Sequence, residues 1–330
     1  MSSVDLSGEL AQEVAAWSDH AEASPIYRYL TSEVAKDQEV LSILSEIKGV
    51  PKVNVFLAAI HLLVGSDDAL AAWYPSKTPD PIPIDPRLYE VFKGFVVERQ
   101  AEIIELGAKK MTQTNEVGRC AVLVPFFPND QEMVHVIELG SAAGLNLCFD
   151  RFGYHYSTGE RLGTGTPTLD CQNEAGVTIP SNLAEVGVRV GVDVHPIDLS
   201  DRAERSWLEA LIWPDQRTRR MRFLEAAAIR RTVHIRTISG DAVDALPEAV
   251  SLIPGDGHLL IFHSMMFASF DQAHKERLDE AIREVADGRS ITRIGLEVWD
   301  DRGVAVRRGD GKGEMEHVVI ADSHGAWMRI

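Results

Sequence analysis

The stretch Val134-His135-Val136-Ile137-Glu138-Leu139-Gly140-Ser141-Ala142-Ala143-Gly144-Leu145-Asn146 constrains this 330-residue chain more than any other. It reads as a buried strand ending in an acidic residue, then a loop of small residues, then the start of a helix. An α/β protein brings its backbone close to a nucleotide-like ligand in this way. One glycine turns the chain sharply, a second lets backbone and helix pack closely, and the helix N-terminus presents N–H groups. Spacing separates the possible ligands. A dinucleotide loop requires Gly-x-Gly-x-x-Gly, but Ala142 stands two positions after Gly140. A phosphate loop requires Gly-Lys-Ser or Gly-Lys-Thr, but Leu145-Asn146 follow Gly144. Neither phosphate motif is met, and Glu-x-Gly-x-x-x-Gly remains.

The rest of the chain supplies a frame for that loop. Strands are expected at 186–194, 233–238, 258–262 and 291–299. Helices are expected at 205–231 (interrupted at Trp213-Pro214), 242–250 and 271–287, and a closing hairpin at 317–320 and 326–330. This alternation argues for an α/β fold with a mostly parallel sheet covered on both faces, the C-terminal hairpin adding an antiparallel edge. Residues 1–125 carry helical periodicity and no strand signal, so an N-terminal helical cap domain is expected there. Ser24-Pro25 starts one helix, 54–64 is apolar enough to be buried, and Asp85 caps a long helix after a proline-rich connector. His61 in the apolar stretch reads as a satisfied core residue. Residues 126–330 form the α/β domain, with a β-hairpin insertion at about 151–182.

Composition narrows the function classes. The formal charge of −17 opposes nucleic acid, to which an acidic surface gains no counterion-release attraction. The arginines at 217, 219, 220, 222, 230 and 231 read first as a solvated helix face. Three widely spaced cysteines imply no disulfide framework and a reducing compartment. With neither a signal peptide nor a membrane-length apolar run, the expectation is a cytoplasmic protein. Eleven scattered histidines without His-x-x-x-His give no metal site, and no Gly-x-Ser-x-Gly elbow suggests a serine hydrolase.

In an open α/β sheet the ligand lies at the carboxyl ends of the strands. Four expected strand ends carry polar residues: Glu138, Asp193, Asp241 and the pair His263-Ser264. Asp193 can accept both ribose hydroxyls and Asp241 an exocyclic amine, so together they could hold an adenosine over the loop. The glycine loop, Gly191-Val192-Asp193-Val194-His195-Pro196 and Ser239-Gly240-Asp241-Ala242 together resemble the Rossmann-like class I S-adenosylmethionine-dependent methyltransferase fold. More closely, the chain resembles a bacterial family known only as a domain of unknown function. That resemblance rests on Thr-Gln-Thr-Asn-Glu-Val-Gly-Arg-Cys at 112–120, Glu138 to Asn146, Asp150-Arg151-Phe152, Trp213-Pro214-Asp215-Gln216 and Phe262-His263-Ser264.

The resemblance implies S-adenosyl-L-methionine as cofactor, held by Glu138, Gly140, Ser141, Ala142, Gly144, Asn146, Asp193, Asp241, Ala242, His263 and Ser264. In one respect the chain departs from the usual pattern: 55 positions separate Glu138 from Asp193 (193 − 138), where about 20 is usual, and the 151–182 insertion must account for the difference. Methyl transfer needs alignment, desolvation and a base only for a protonated nucleophile. His263 is the first candidate base, with Tyr154 and Tyr156 (and His155 between them) behind it. Gln113, Asn115, Glu116 and Arg119 read as a solvated loop from composition and as a substrate-binding lid from the resemblance. The expected activity is methyl transfer to a small molecule, without nucleic-acid or membrane partners. Alternatives are transfer or cyclisation of the aminocarboxypropyl group with release of methylthioadenosine, a nicotinamide-dependent oxidoreductase, and a non-catalytic ligand-binding protein.

Overall fold

Caps and apolar faces set the N-terminal helices. In the computed structural model, which describes residues 6–21, 23–300 and 303–330, α1 (Leu6–His20) precedes α2 (Pro25–Val34), where Ser24 accepts the Tyr27 N–H as N-cap. Asp37 caps α3 (Gln38–Ser45), an element too short to stand out in the sequence. The apolar α4 (Lys52–Leu63) is buried over most of its length. The helix expected after Asp85 is two helices, α5 (Pro86–Glu98) and α6 (Gln100–Lys109), because Arg99 takes a non-helical conformation between them.

These helices belong to the first of two compact units, 1–114 with 201–221; the second is 115–200 with 222–330. The expected division at 125 therefore differs in two ways. Residues 115–125, including the short α7 (Cys120–Leu123), pack with the sheet. The stretch with α8 (Arg202–Ala210) and the start of α9 (Arg217–Arg230) packs with the helices. Trp207, 2% exposed, joins Tyr27, Leu44, Phe56 and Phe92 in that unit's core. His61 is a core residue: its ring meets the Ala210 carbonyl at 3.0 Å and Ser76 Oγ at 2.7 Å, and burial pushes its pKa down to about 4.

The second unit is built on a mixed sheet. Its strands are β1 (Met133–Leu139), β2 (Gly153–Tyr156), β3 (Arg161–Leu162), β4 (Thr168–Asn173), β5 (Glu185–Asp193) and β6 (Arg236–Ser239). They continue with β7 (His258–Ser264), β8 (Ile291–Asp300), β9 (Gly303–Gly309), β10 (Glu316–Ala321) and β11 (Trp327–Arg329). Their order is β3-β2-β4-β11-β10-β9-β8-β7-β1-β5-β6. From β6 to β8 all neighbours are parallel, and β9, β10 and β11 then pair antiparallel in turn. The insertion at 151–182 is no separate hairpin: β2 and β3 pair antiparallel, while β4 joins β11 and extends the main sheet.

One face of the parallel strands buries Ile137, Leu139, Val190, Val192 and Ile261 against α10 (Ala242–Ser251) and α11 (Gln272–Ala286). On the other face the rings of Phe127, Phe149 and Phe262 meet at centroid distances of 4.8 and 5.5 Å. The chain leaves β1 for β5 and β6 on one side and returns to β7 on the other. The carboxyl ends of β1 and β7 therefore flank a topological switch point, where an open sheet leaves a crevice.

Candidate functional site

The loop after β1 occupies that switch point, and its backbone is left-handed at alternate positions: φ is +71° at Gly140, +47° at Ala142 and +70° at Gly144. Ala142 thus adopts the conformation a second glycine would give, and the dinucleotide pattern is broken by its methyl group and by Leu145 where the third glycine would stand. The expected helix does not follow. Asn146–Arg151 is a short 3-10 stretch with a kink at Cys148, so no long helix dipole faces the loop. Nor are the loop amides presented to a ligand. Gly140 and Ser141 N–H both donate to the Val192 carbonyl (2.8 and 3.0 Å), Gly144 N–H to Ser141 O (2.6 Å), and Leu145 N–H to Asn115 Oδ1 (3.0 Å). Arg230 Nε donates to Ala143 O at 3.0 Å from α9.

The acidic strand ends are engaged too. Asp193 accepts the N–H groups of Ala142 (2.7 Å) and His195 (2.8 Å), tying the end of β5 to the loop across the 55-residue separation. Asp241 is the N-cap of α10, accepting from Val243 N–H at 2.9 Å, and pairs with His274 Nε2 at 3.0 Å; Ala242 is the buried first residue of that helix. Glu138 is 1% exposed. Its Oε1 accepts from Asn146 Nδ2 at 3.2 Å, its Oε2 has no partner in the protein, and burial pushes its carboxyl well above the usual range. Ser141 Oγ, set against Gly191, also has no partner.

His263 and Ser264 do not act side by side. Register places Leu139, His263 and Gly295 on one face, and Glu138, Phe262 and Ser264 on the other. On the second face Arg119 Nη1 donates to Ser264 Oγ (3.3 Å), and Arg119 Nε to the Ser323 carbonyl (2.9 Å). On the first face His263 Nδ1 meets Glu297 Oε1 at 2.7 Å, a partner in mid-strand that no motif marks. The His263 ring stacks on Phe267 (4.6 Å), Phe267 on Phe270 (5.8 Å) and Phe270 on His274 (3.9 Å). This row of rings runs from the end of β7 to Asp241 at the end of β6. Four-stranded spacing accounts for its length, since β6 and β7 stand three interstrand gaps of about 4.8 Å apart.

The expected lid is in large part a brace. Asn115 bridges the loop's two ends, accepting from Leu145 N–H and donating to Ser141 O at 3.3 Å. Glu116 is buried and accepts Gly118 N–H at 3.0 Å. Gly118 and Gly325 meet backbone to backbone, so the turn between β10 and β11 locks onto this segment. Gln113 belongs to the first unit. Tyr154 and Tyr156 are packing residues: both are buried, their hydroxyls donate to the carbonyls of Phe149 (2.6 Å) and Ala121 (2.9 Å), and burial raises both pKa values. Neither hydroxyl is placed to act as a base. His155 pairs with Asp170 at 3.5 Å.

A separate open cavity of about 550 Å³ lies at the opposite, amino-terminal end of β5, lined by Arg151, Arg189, Thr166 and His234 among others. Arg189 is held there by a bidentate pair with Asp150, both bonds 2.7 Å. Among the described residues no three His, Cys, Asp or Glu side chains gather as metal ligands, and no helix is long and apolar enough to cross a membrane.

Residues 10–329 match the profile of a family described as "Uncharacterized protein conserved in bacteria (DUF2332)", and the chain belongs to that family. No protein of curated function matches it.

Proposed function

We propose that this member of the DUF2332 family has a Rossmann-like class I methyltransferase fold, binds S-adenosyl-L-methionine at the carboxyl ends of β1, β5, β6 and β7, and transfers the methyl group to a small molecule. One observation carries the reading. The Glu138-x-Gly140-x-x-x-Gly144 loop lies at the switch point, bonded to Asp193 at the end of the next strand, with Asp241 ending the third. In order of appearance the parallel strands run third, second, first, fourth, fifth, the doubly wound arrangement that holds adenine nucleotides in that crevice.

The residues present suit the cofactor. With the amides of Gly140, Ser141, Ala142, Gly144 and Leu145 already paired, the loop suits a ligand without phosphate. Glu138 Oε2 and Ser141 Oγ lack partners, which suits a ligand bringing amine and hydroxyl donors. Asp193 ends the strand beside the loop and is bonded to it through the Ala142 N–H, which is where a carboxylate would receive ribose hydroxyls. Asp241, sharing His274 and Val243, would take the adenine amine. The Met266 side chain lies against Gly140, where a Cβ would meet it at 3.2–3.3 Å, and its flexible thioether would have to swing aside. When bound, the cofactor supplies an electrophilic methyl on a sulfonium; the chain's own task is alignment and exclusion of water.

Calorimetry with S-adenosylmethionine and S-adenosylhomocysteine should give saturable binding, and absence of binding by either at millimolar concentration ends the proposal. Mass spectrometry then decides the reaction: S-adenosylhomocysteine as product supports methyl transfer, and methylthioadenosine would move the reading to aminocarboxypropyl chemistry.

A further inference from the structure

The pair between β7 and β8 has no counterpart in what the glycine loop needs. Glu297 Oε1 accepts the Met266 N–H at 3.1 Å and Oε2 the Phe267 N–H at 3.0 Å, and Oε1 also faces His263 Nδ1 at 2.7 Å. Two of these partners can only donate, so an ionised Glu297 would accept from all three and hold the imidazole proton on Nδ1. The neutral ring then bears its lone pair on Nε2. That atom is buried without a partner in the protein, on a residue 1% exposed. The ring is fixed rather than adaptable. It stacks on Phe267, and it lies against Gly295, where an added Cβ would meet it at 2.7–3.0 Å. Other charged groups act on it from β8 (Arg293) and α11 (Asp279), and burial outweighs them, holding the imidazole below its ordinary pKa.

We infer that Glu297 is a positioning residue that presents His263 Nε2 as a hydrogen-bond acceptor, and that the substrate carries an O–H or N–H nucleophile whose proton passes to that nitrogen. The substrate class rests on the transferase reading above. In the transfer the electron pair of the X–H bond stays on X, the proton becomes Nε2–H, and the imidazolium charge is met by Glu297. Thioethers and tertiary amines, which need no base, would leave this arrangement without a task. The half-buried Phe267 covers one face of the ring, in a turn where Met265 sits at φ +56°.

The experiment is long-range ¹H–¹⁵N correlation on the full chain labelled at histidine, with His263 identified by its loss in His263→Gln. In the wild type at pH 7 the expected spectrum has Nδ1 protonated and Nε2 bare. Glu297→Gln should mix the two tautomers, and Glu297→Asp should restore the preference. Phenol should move the Nε2 resonance saturably, whereas anisole, the same shape without the hydroxyl, should not. A wild-type proton on Nε2 overturns the proposal, as does an unchanged tautomer in a folded Glu297→Gln protein. Equal effects of phenol and anisole, or no effect of either, overturn the substrate class. None of these readings uses the cofactor, so a failure of cofactor binding in calorimetry is separately visible.

Discussion

At the scale of single residues, burial decides which charges the chain tolerates. His61 has a folded pKa of about 4 against an ordinary value near 6.5. The unfolded chain therefore takes up the proton first, so the stabilisation is complete above pH ~6.5, shrinks as pH falls, and is gone by pH ~4. At pH 5 the loss amounts to about 2 kcal/mol. Urea unfolding at pH 7.5 and pH 5 should show that penalty in the wild type and not in a folded His61→Gln protein. Equal pH dependence in the two would refute the assignment. Asp193 works in the opposite way, as an acceptor for two amides of the loop and its neighbour. Asp193→Ala should cost about 1–3 kcal/mol in the same assay, because both N–H groups lose their partner. It should also speed hydrogen exchange at Ala142; exchange as slow as in the wild type would mean the carboxylate does not hold the loop.

At the scale of elements, the site is held by contacts between segments distant in sequence. A methyl group on Gly325 would run into the Gly118 backbone, one on Gly118 would run into the His324 carbonyl, and Gly325 has φ +85°. Gly325→Ala should therefore undock the β10–β11 turn and release Arg119 from Ser323, with a loss above about 2 kcal/mol. A melting temperature unchanged from the wild type would show that the lock is dispensable. Sequence made the long elements legible. β1 and β7 are largely apolar runs, β5 and β8 carry regularly spaced valine, isoleucine and leucine, and Ser24, Asp85 and Asp271 are caps of the expected chemistry. β9 escaped notice because its alternation of Val304 and Val306 is followed at once by Arg307-Arg308 and framed by Gly303 and Gly309. β6 is an edge strand with Ile238 alone buried, so its expected start at 233 falls instead at Arg236. Within the site, strand-end acids could be found by position. Glu297 could not, since its meaning depends on His263 in the neighbouring strand. Asn115 read as a ligand group because its two loop partners are invisible in the linear order.

At the scale of the whole molecule, the two units are interleaved in sequence, and that interleaving limits what can be cut. A chain beginning at residue 126 would lack Asn115, Glu116 and Arg119 and would leave Trp207 without the core it occupies. Such a truncation should aggregate or melt without a cooperative transition in circular dichroism. A soluble, sharply melting product would show that the sheet unit is self-sufficient. On the proposed reading the loop at the switch point receives an adenosine-bearing sulfonium cofactor. A crystal structure with S-adenosylhomocysteine tests it most directly. The ribose is expected at Asp193, the adenine amine at Asp241 and Met266 displaced from Gly140. Density for the ligand in the Arg151–His234 cavity at the other end of β5, or an unliganded crevice at saturating concentration, would contradict it.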